Sequence, residues 1–290
     1  MVSAKFKLMP ELPEVETIAR GLASRVSGDV IESVWLGQKS EPLKSSALEI
    51  AATLENTRIS TVRRMGKHIV FDLEPKRRAK QAKAPRLHTQ GSVTAQWIVH
   101  LGMTGRLQVC DPQSEIPKHT HAILKLASGR ELRFTDPRRF GRLSVSRDFE
   151  TDGIEPLEID LDQFLSLFRG RKTPIKSALL NQKLLRGVGN IYADESLFRA
   201  GIRPRRRAST VTRDQLIKLH TAVKEVLNEA IALGGSTISD YVDSDGEAGF
   251  FQLQHRVYGR EGELCLVCKM PIKRVVIAGR SSHYCPKCQR

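Results

Sequence analysis

Met9-Pro10-Glu11-Leu12-Pro13-Glu14-Val15-Glu16-Thr17 sets a proline and a carboxylate side by side, directly after a methionine. Met-Pro is a junction at which an initiator methionine can be trimmed, leaving Pro10 with a free amine. Among the standard amino acids only an N-terminal proline offers a secondary amine. Its attack on an electrophilic carbon gives a charged iminium, a relative of the lysine Schiff base and an electron sink for eliminations. Glu11 is near enough in sequence to move protons for that amine. The stretch also reads as a helix start. Proline and glutamate suit a first turn, and Val15, Ile18, Ala19, Leu22 and Val26 fall on one helical face. The two readings are compatible: a helix over residues 10–26 whose start carries a nucleophile. Residues 1–9 bear on this directly, because an acylated Pro10 nitrogen cannot attack. They are expected to be absent from the mature protein, with translation starting at Met9.

The whole chain has 290 residues, enough for two or three domains. Its 40% hydrophobic content supports real cores. It carries 47 Lys and Arg against 32 Asp and Glu, a net charge of +15, which points to a polyanionic partner, nucleic acid before an anionic membrane. There is no apolar run long enough to span a bilayer, and residues 1–9 lack the apolar core of a signal peptide. The chain therefore reads as a cytoplasmic protein with reduced thiols, and by default as a monomer.

Beyond the first helix the pattern changes to short β runs at 30–36, 59–62, 68–73, 95–100, 106–109, 122–126 and 131–135, separated by Gly, Pro and polar turns. That spacing predicts a β-sandwich. A basic insertion at 74–94 interrupts it and reads as a solvated surface loop. Residues 149–161 form an acidic connector. Helical patterns follow at 162–168, 176–185 and 191–199. A longer helix is opened by the capping pair Thr212-x-x-Gln215 and closed by Gly234-Gly235. A polar loop at 236–253 leads into a small cysteine-bearing unit.

Cys265-x2-Cys268-x16-Cys285-x2-Cys288 supplies four thiolates at the spacing of a tetrahedral zinc site. Four sulfur ligands leave no open position, so one structural zinc ion is expected. Arg280 lies between the knuckles, where the ribbon is expected to turn over 280–282, and can reach a phosphate. Cys110 reads as a small buried hydrophobe. Leu185-Arg186-Gly187-Val188-Gly189-Asn190-Ile191-Tyr192 pairs two glycines at a helix–helix junction, where backbone amides can approach an anion and Asn190 can cap the next helix. It reads equally as a tight turn; the basic charge favours DNA-backbone binding. Thr135-Asp136-Pro137-Arg138-Arg139-Phe140-Gly141 is either an Asp-Pro turn with solvated arginines or a phosphate-and-stacking element. His100-Leu101-Gly102-Met103-Thr104-Gly105, Lys67, His119 and His121 are ambiguous alone, and the two histidines lack a third metal ligand.

Taken together, residues 10–17, 100–105, 135–141, 184–195, 244–265 and the cysteine-rich ending resemble bacterial formamidopyrimidine-DNA glycosylases, from Pro10 to the C-terminus apart from the insertion. The resemblance implies an α+β fold: an N-terminal helix plus β-sandwich domain (10–148), a linker (149–161), a helix-two-turn-helix domain with a lesion loop (162–255), and a four-cysteine zinc-finger β-ribbon (256–290). It implies a bifunctional base-excision enzyme that removes 8-oxoguanine and formamidopyrimidines from double-stranded DNA, then cuts the strand by β,δ-elimination. Pro10 matches the nucleophile, Glu11 the general acid–base, Lys67 the β-elimination lysine and Arg280 the δ-elimination arginine. His119, Arg138 and Arg171 match DNA-contact positions, the last often lysine in the family. Arg139 and Asn190 match phosphate-clamping positions. Met103, Arg138 and Phe140 match the residues that fill the hole left by a flipped nucleotide, and the loop around 234–251 matches a lid over the base. Two other readings compete. A damaged-DNA-binding protein without chemistry follows if residues 1–9 stay on. An endonuclease VIII-like enzyme would prefer oxidised pyrimidines, although Leu12 and the long lid loop favour the purine enzyme.

Overall fold

Pro13 in the first turn, Glu14 beside it and Arg25 in the last set the limits of α1 (Leu12–Val26). Its apolar stripe, Val15, Ile18, Ala19, Leu22 and Val26, is buried, each such side chain stabilising by about 1.5–3 kcal/mol, less for alanine. The helix begins two residues later than its pattern predicts. The amide of Leu12 donates to Gly187 O at 3.0 Å, a partner outside the helix. The computed structural model describes residues 9–76, 94–236 and 249–290. Most of the N-terminal segment, most of the basic insertion and residues 237–248 of the loop expected to act as a lid lie outside them.

The chain divides into two units. The first holds Pro10 and Glu14–Glu150. Its strands are β1 (Val30–Leu36), β2 (Thr57–Met65), β3 (His68–Pro75), β4 (Ala95–His100), β5 (Arg106–Cys110), β6 (Thr120–Leu126), β7 (Glu131–Thr135) and β8 (Arg142–Ser146). They pair antiparallel in the order β5-β7-β6-β1-β2-β3-β4-β8. β1 and β2 meet only at Val30↔Arg58 and Ile31↔Thr57. This narrow joint divides the ladder into two four-stranded halves, the β-sandwich. Leu107, Leu124 and Phe134 from one half share a core with Ile69, Phe71, Trp97 and Leu143 from the other and with α1. Sequence reading gave no β8 and no α2 (Ala47–Leu54). The helix is signalled by Ser46, whose Oγ accepts from the Glu49 amide at 3.2 Å, and by the buried pair Ile50 and Leu54.

The second unit holds Glu11–Pro13, Thr151–Ser236 and Phe250–Arg290. It contains α3 (Leu161–Phe168), α4 (Ile175–Leu179), α5 (Asn190–Arg199) and α6 (Arg213–Ala232), then the hairpin of β9 (Lys273–Ile277) and β10 (Arg280–Tyr284). α6 starts with a complete Thr212–Gln215 capping box and packs on α3 and α5. The predicted helix 176–185 stops at Leu179. Asn181 there accepts with its side chain from the Lys183 amide at 3.0 Å and with its carbonyl from the Leu184 amide at 2.8 Å, so a turn replaces the helix. No described helix is long and apolar enough to cross a membrane.

Candidate nucleic-acid interface and active site

In the first unit, strand register gathers the loops that carry the candidate residues. His68, His100 and Arg142 form one row across β3, β4 and β8. The turn before His68 carries Lys67, the loop after His100 carries Met103, and the loop before Arg142 carries Arg138, Arg139 and Phe140. Thr120 and Arg106 both pair with Thr135, which brings His119 and the other end of the Met103 loop to this same sheet end. The alternation of the strands was readable in the sequence; this alignment of ends was not.

Asp136 organises the loops and was read from sequence only as part of a turn. It is fully buried. Its carboxylate accepts from Thr104 Oγ1 at 2.5 Å, from the Arg138 amide at 3.2 Å and from the Gly141 amide at 2.7 Å. Its own amide donates to His119 O at 3.0 Å, and its carbonyl meets His121 Nε2 at 2.9 Å. Gly102 packs so tightly that a Cβ there would lie 2.5 Å from the Phe140 carbonyl carbon. The Met103 and Phe140 loops are therefore packed directly against each other. Phe140 is half exposed, with the Arg138 guanidinium 4.7 Å from its ring centroid. A flat apolar ring backed by a cation is suited to stacking on a base. His119 and Arg139 both adopt left-handed backbone, φ +69 and +57, a conformation uncommon for residues other than glycine. Lys67 occupies the two-residue β2–β3 turn. That turn is steadied by Arg64, which donates to Gly66 O at 3.2 Å and to Glu16 Oε2 of α1 at 2.7 Å. Cys110 is half-buried rather than buried, at the end of β5.

In the second unit the carboxylate of Glu11, 3% exposed, sits at the start of α5. Its Oε1 accepts from the Ile191 amide at 3.2 Å. The glycine pair does bring amides to an anion, but in the described structure that anion is Glu11. Gln182 holds the loop in shape, accepting from the Gly187 amide and donating to the Val188 carbonyl, both at 2.9 Å. Asn190 does not cap α5: Gly189 occupies that position, and Asn190 reaches Ser281 Oγ at 3.4 Å instead. Arg171 is exposed, and its Nε donates to Leu167 O at the end of α3.

Sequence reading missed Lys176 altogether. It is fully buried, its Nζ 2.7 Å from Asp194 and 2.7 Å from Ser281 O. Burial pushes its pKa down and Asp194 opposes that shift. Asp194 also accepts from the His283 amide at 2.8 Å, so α4 and α5 hold β10 at two points on either side of Ser282. Losing one member of such a buried pair costs about 3–5 kcal/mol. Glu195, beside Asp194, accepts from the amides of Arg256, Val257 and Tyr258 at 2.8–3.0 Å and fixes the approach to the ribbon. The ribbon turns at Ala278-Gly279, both with positive φ, as a two-residue hairpin demands. Exposed Arg280 therefore opens the return strand instead of forming the turn expected over 280–282.

The sulfurs of Cys265, Cys268, Cys285 and Cys288 lie within 4.8 Å of one another, with Cys265–Cys288 at 3.9 Å and Cys268–Cys285 at 3.3 Å. A zinc tetrahedron with Zn–S near 2.3 Å has edges of about 3.8 Å, so the four fit the ion. The Cys288 amide points at Cys285 Sγ, 3.4 Å away, as support for a thiolate. Zinc here would act through architecture, and binding it supplies about 10–16 kcal/mol in isolated fingers. Cys285→Ser is expected to release the ion, unfold β9–β10 and weaken DNA binding by removing Arg280 from place. Zinc stoichiometry together with amide exchange over residues 262–290 checks this; a protected, metal-free ribbon would contradict it.

The comparisons with known proteins agree with this architecture. Residues 9–143 match the formamidopyrimidine-DNA glycosylase N-terminal domain, 153–242 its H2TH domain and 262–290 the zinc finger found in FPG and IleRS. The formamidopyrimidine-DNA glycosylase of Solibacter usitatus is 44% identical, over 97% of this chain and all of its own. The crystal structure of MutM (Fpg) from Thermus thermophilus is 40% identical with a TM-score of 0.80, covering 97% of this chain and 98% of its own. The Lactococcus lactis Fpg, crystallised with abasic-site DNA, is 30% identical with a TM-score of 0.83, covering 97% and 99%. With near-complete coverage on both sides, this chain belongs to the formamidopyrimidine-DNA glycosylase family, DNA glycosylases that act in damage recognition and repair.

Proposed function

We propose that this protein excises oxidised purines from duplex DNA through an iminium at Pro10 and then cleaves the strand by β,δ-elimination. The observation that carries the reading is the seat of Glu11. A buried carboxylate, pinned at the start of α5 by the Ile191 amide, directly follows the one residue whose free amine is secondary. In this scheme the Pro10 nitrogen bonds to the sugar C1′ as the base leaves, and Glu11 shuttles the protons of ring opening. The iminium accepts the electron pair left when C2′ loses a proton, giving an enamine, and that pair then forms the C2′–C3′ double bond as the 3′ phosphate leaves with its C–O bonding pair.

The remaining residues take roles that their positions support. Lys67 serves the elimination steps. Arg139, Asn190 and Arg280 hold backbone phosphates, and His119, Arg138 and Arg171 supply further DNA contacts. Arg280 also assists the second elimination. Met103, Arg138 and Phe140 occupy the space of the extruded nucleotide, offsetting an unstacking cost of a few kcal/mol. The domain boundaries proposed from sequence, 10–148, 162–255 and 256–290 around a linker at 149–161, suit this division of labour.

A panel of duplexes tests the substrate class. Protein beginning at Pro10 is expected to release 8-oxoguanine opposite cytosine and formamidopyrimidines, and to leave an oxidised pyrimidine largely intact. Preferential release of the pyrimidine would replace this reading with the endonuclease VIII-like one.

A further inference from the structure

Arg139 does not project freely from its loop. Its amide donates to the Asp136 carbonyl at 3.3 Å and its φ is +57, so its backbone is held left-handed. Its Nη1 lies 2.8 Å from Glu41 Oε1. Glu41 is also firmly placed. The Leu143 amide donates to Pro42 O at 2.7 Å, and the Lys44 amide donates to Leu143 O at 2.8 Å, which ties the residues just after Glu41 to β8. A carboxylate and a guanidinium, each on a fixed backbone, thus meet at a sheet end that also carries Lys67, His119, Arg138 and Arg142. The Glu41 carboxyl is held below the usual carboxylate range, first by a hydrogen bond from its own backbone and then by Arg139, Lys39 and His121. It is therefore negative at neutral pH. To a guanidinium, a carboxylate and a phosphodiester look alike: two oxygens sharing one charge. The pair is about half exposed, 42% for Arg139 and 51% for Glu41, so solvent screens it and another anion can exchange in.

We propose that Glu41 is an intramolecular stand-in for a DNA phosphate, occupying the Arg139 guanidinium in the DNA-free protein and giving way to a backbone phosphate on binding. The inference rests on the proposed role of Arg139 as a phosphate clamp. Two consequences follow. The guanidinium is already aimed when DNA arrives. Each phosphate it takes must also displace a carboxylate, which then faces the backbone unpaired, so binding to undamaged DNA is weakened without any reading of sequence. A protein that must leave most sites it visits gains from such a contact.

The test measures dissociation constants at low salt for an undamaged duplex and for the same duplex with a reduced abasic analogue. The proteins are the parent, Glu41→Gln, Arg139→Gln, the double variant, and Glu49→Gln. The last removes the same charge from an exposed position of α2 and controls for net charge. Glu41→Gln is expected to tighten the undamaged duplex about two- to fivefold beyond Glu49→Gln, and this gain should vanish when Arg139 is also replaced. A gain no larger than that of Glu49→Gln, or one that survives in the Arg139→Gln background, overturns the stand-in. If Arg139→Gln weakens binding while Glu41→Gln changes nothing, the clamp stands and only the stand-in falls. If Arg139→Gln binds like the parent, the clamp is wrong and this inference fails with it.

Discussion

A chain that begins at Pro10 should be trapped covalently on abasic-site DNA by borohydride, and a chain that keeps residues 1–9 should not. The difference is one of bonding. Within a peptide, the Pro10 nitrogen has no hydrogen and its lone pair is delocalised into the carbonyl of Met9. It cannot form a neutral amine, add to C1′ or become an iminium. Once Pro10 is terminal, the nitrogen is an α-amine with a reference pKa of about 7.7–8.0, so a useful fraction is unprotonated near neutrality. Adduct formation should rise with pH through that range, because the deprotonated form is the nucleophile. Loss of a chemical participant costs at least about 10²–10⁴-fold, so the extended chain should fall to background in strand cleavage while still binding DNA. Intact mass of protein from its own cells, followed by trapping with both forms, checks both halves. Equal trapping of the extended chain would move the nucleophile elsewhere, with Lys67 the first amine to replace. Pro10→Gly separates the features further. It leaves a terminal primary amine that can still form an imine, and it should retain part of the activity that the extended chain loses.

The sequence made the fold legible wherever a local pattern carried the physics. The α1 stripe, the alternating strands, the Thr212–Gln215 box and the two CxxC knuckles each specify their structure within a few residues. What stayed hidden depends on partners far apart in the chain. Lys176 and Asp194 are 18 residues apart, and no rule of spacing says that a lysine at a short helix start will be buried. Asp136 looked like half of an Asp-Pro turn because the donors to its carboxylate come from Thr104, Arg138 and Gly141 on two loops. The glycine pair misled for a related reason. Its chemistry, amides presented to an anion, was read correctly, yet the carboxylate seated there is 180 residues away from Ile191 in sequence. The helix predicted through Leu185 failed on short-range chemistry instead, because an asparagine at 181 competes for backbone partners and the apolar pattern alone does not show it.

That seat gives the second large expected effect. Gly189→Ala should abolish base excision while leaving the protein folded. Gly189 has extended backbone, φ −131, which alanine adopts without strain. The difficulty is space: a Cβ there would lie 2.1 Å from Glu11 Cδ and 2.4 Å from its Oε1, far inside contact distance. Something must move. The backbone on the Gly189 side continues into α5, and Gln182 fixes Gly187 and Val188, so the loop resists. The Glu11 side chain can rotate, and its rotation breaks the bond from the Ile191 amide. The overpacking cost is about 1–3 kcal/mol, visible as a lower melting temperature without loss of cooperativity. The cost to chemistry is that of misplacing a proton-transfer group, about 10²–10⁴-fold in single-turnover excision. Because both changes act on the same carboxylate, Gly189→Ala combined with Glu11→Gln should be little slower than Glu11→Gln alone. Fully additive losses would mean that the glycine serves something other than Glu11. A Gly189→Ala protein with parental excision rates would show that Glu11 works without its seat on α5, and the central element of the proposed mechanism would have to be redrawn.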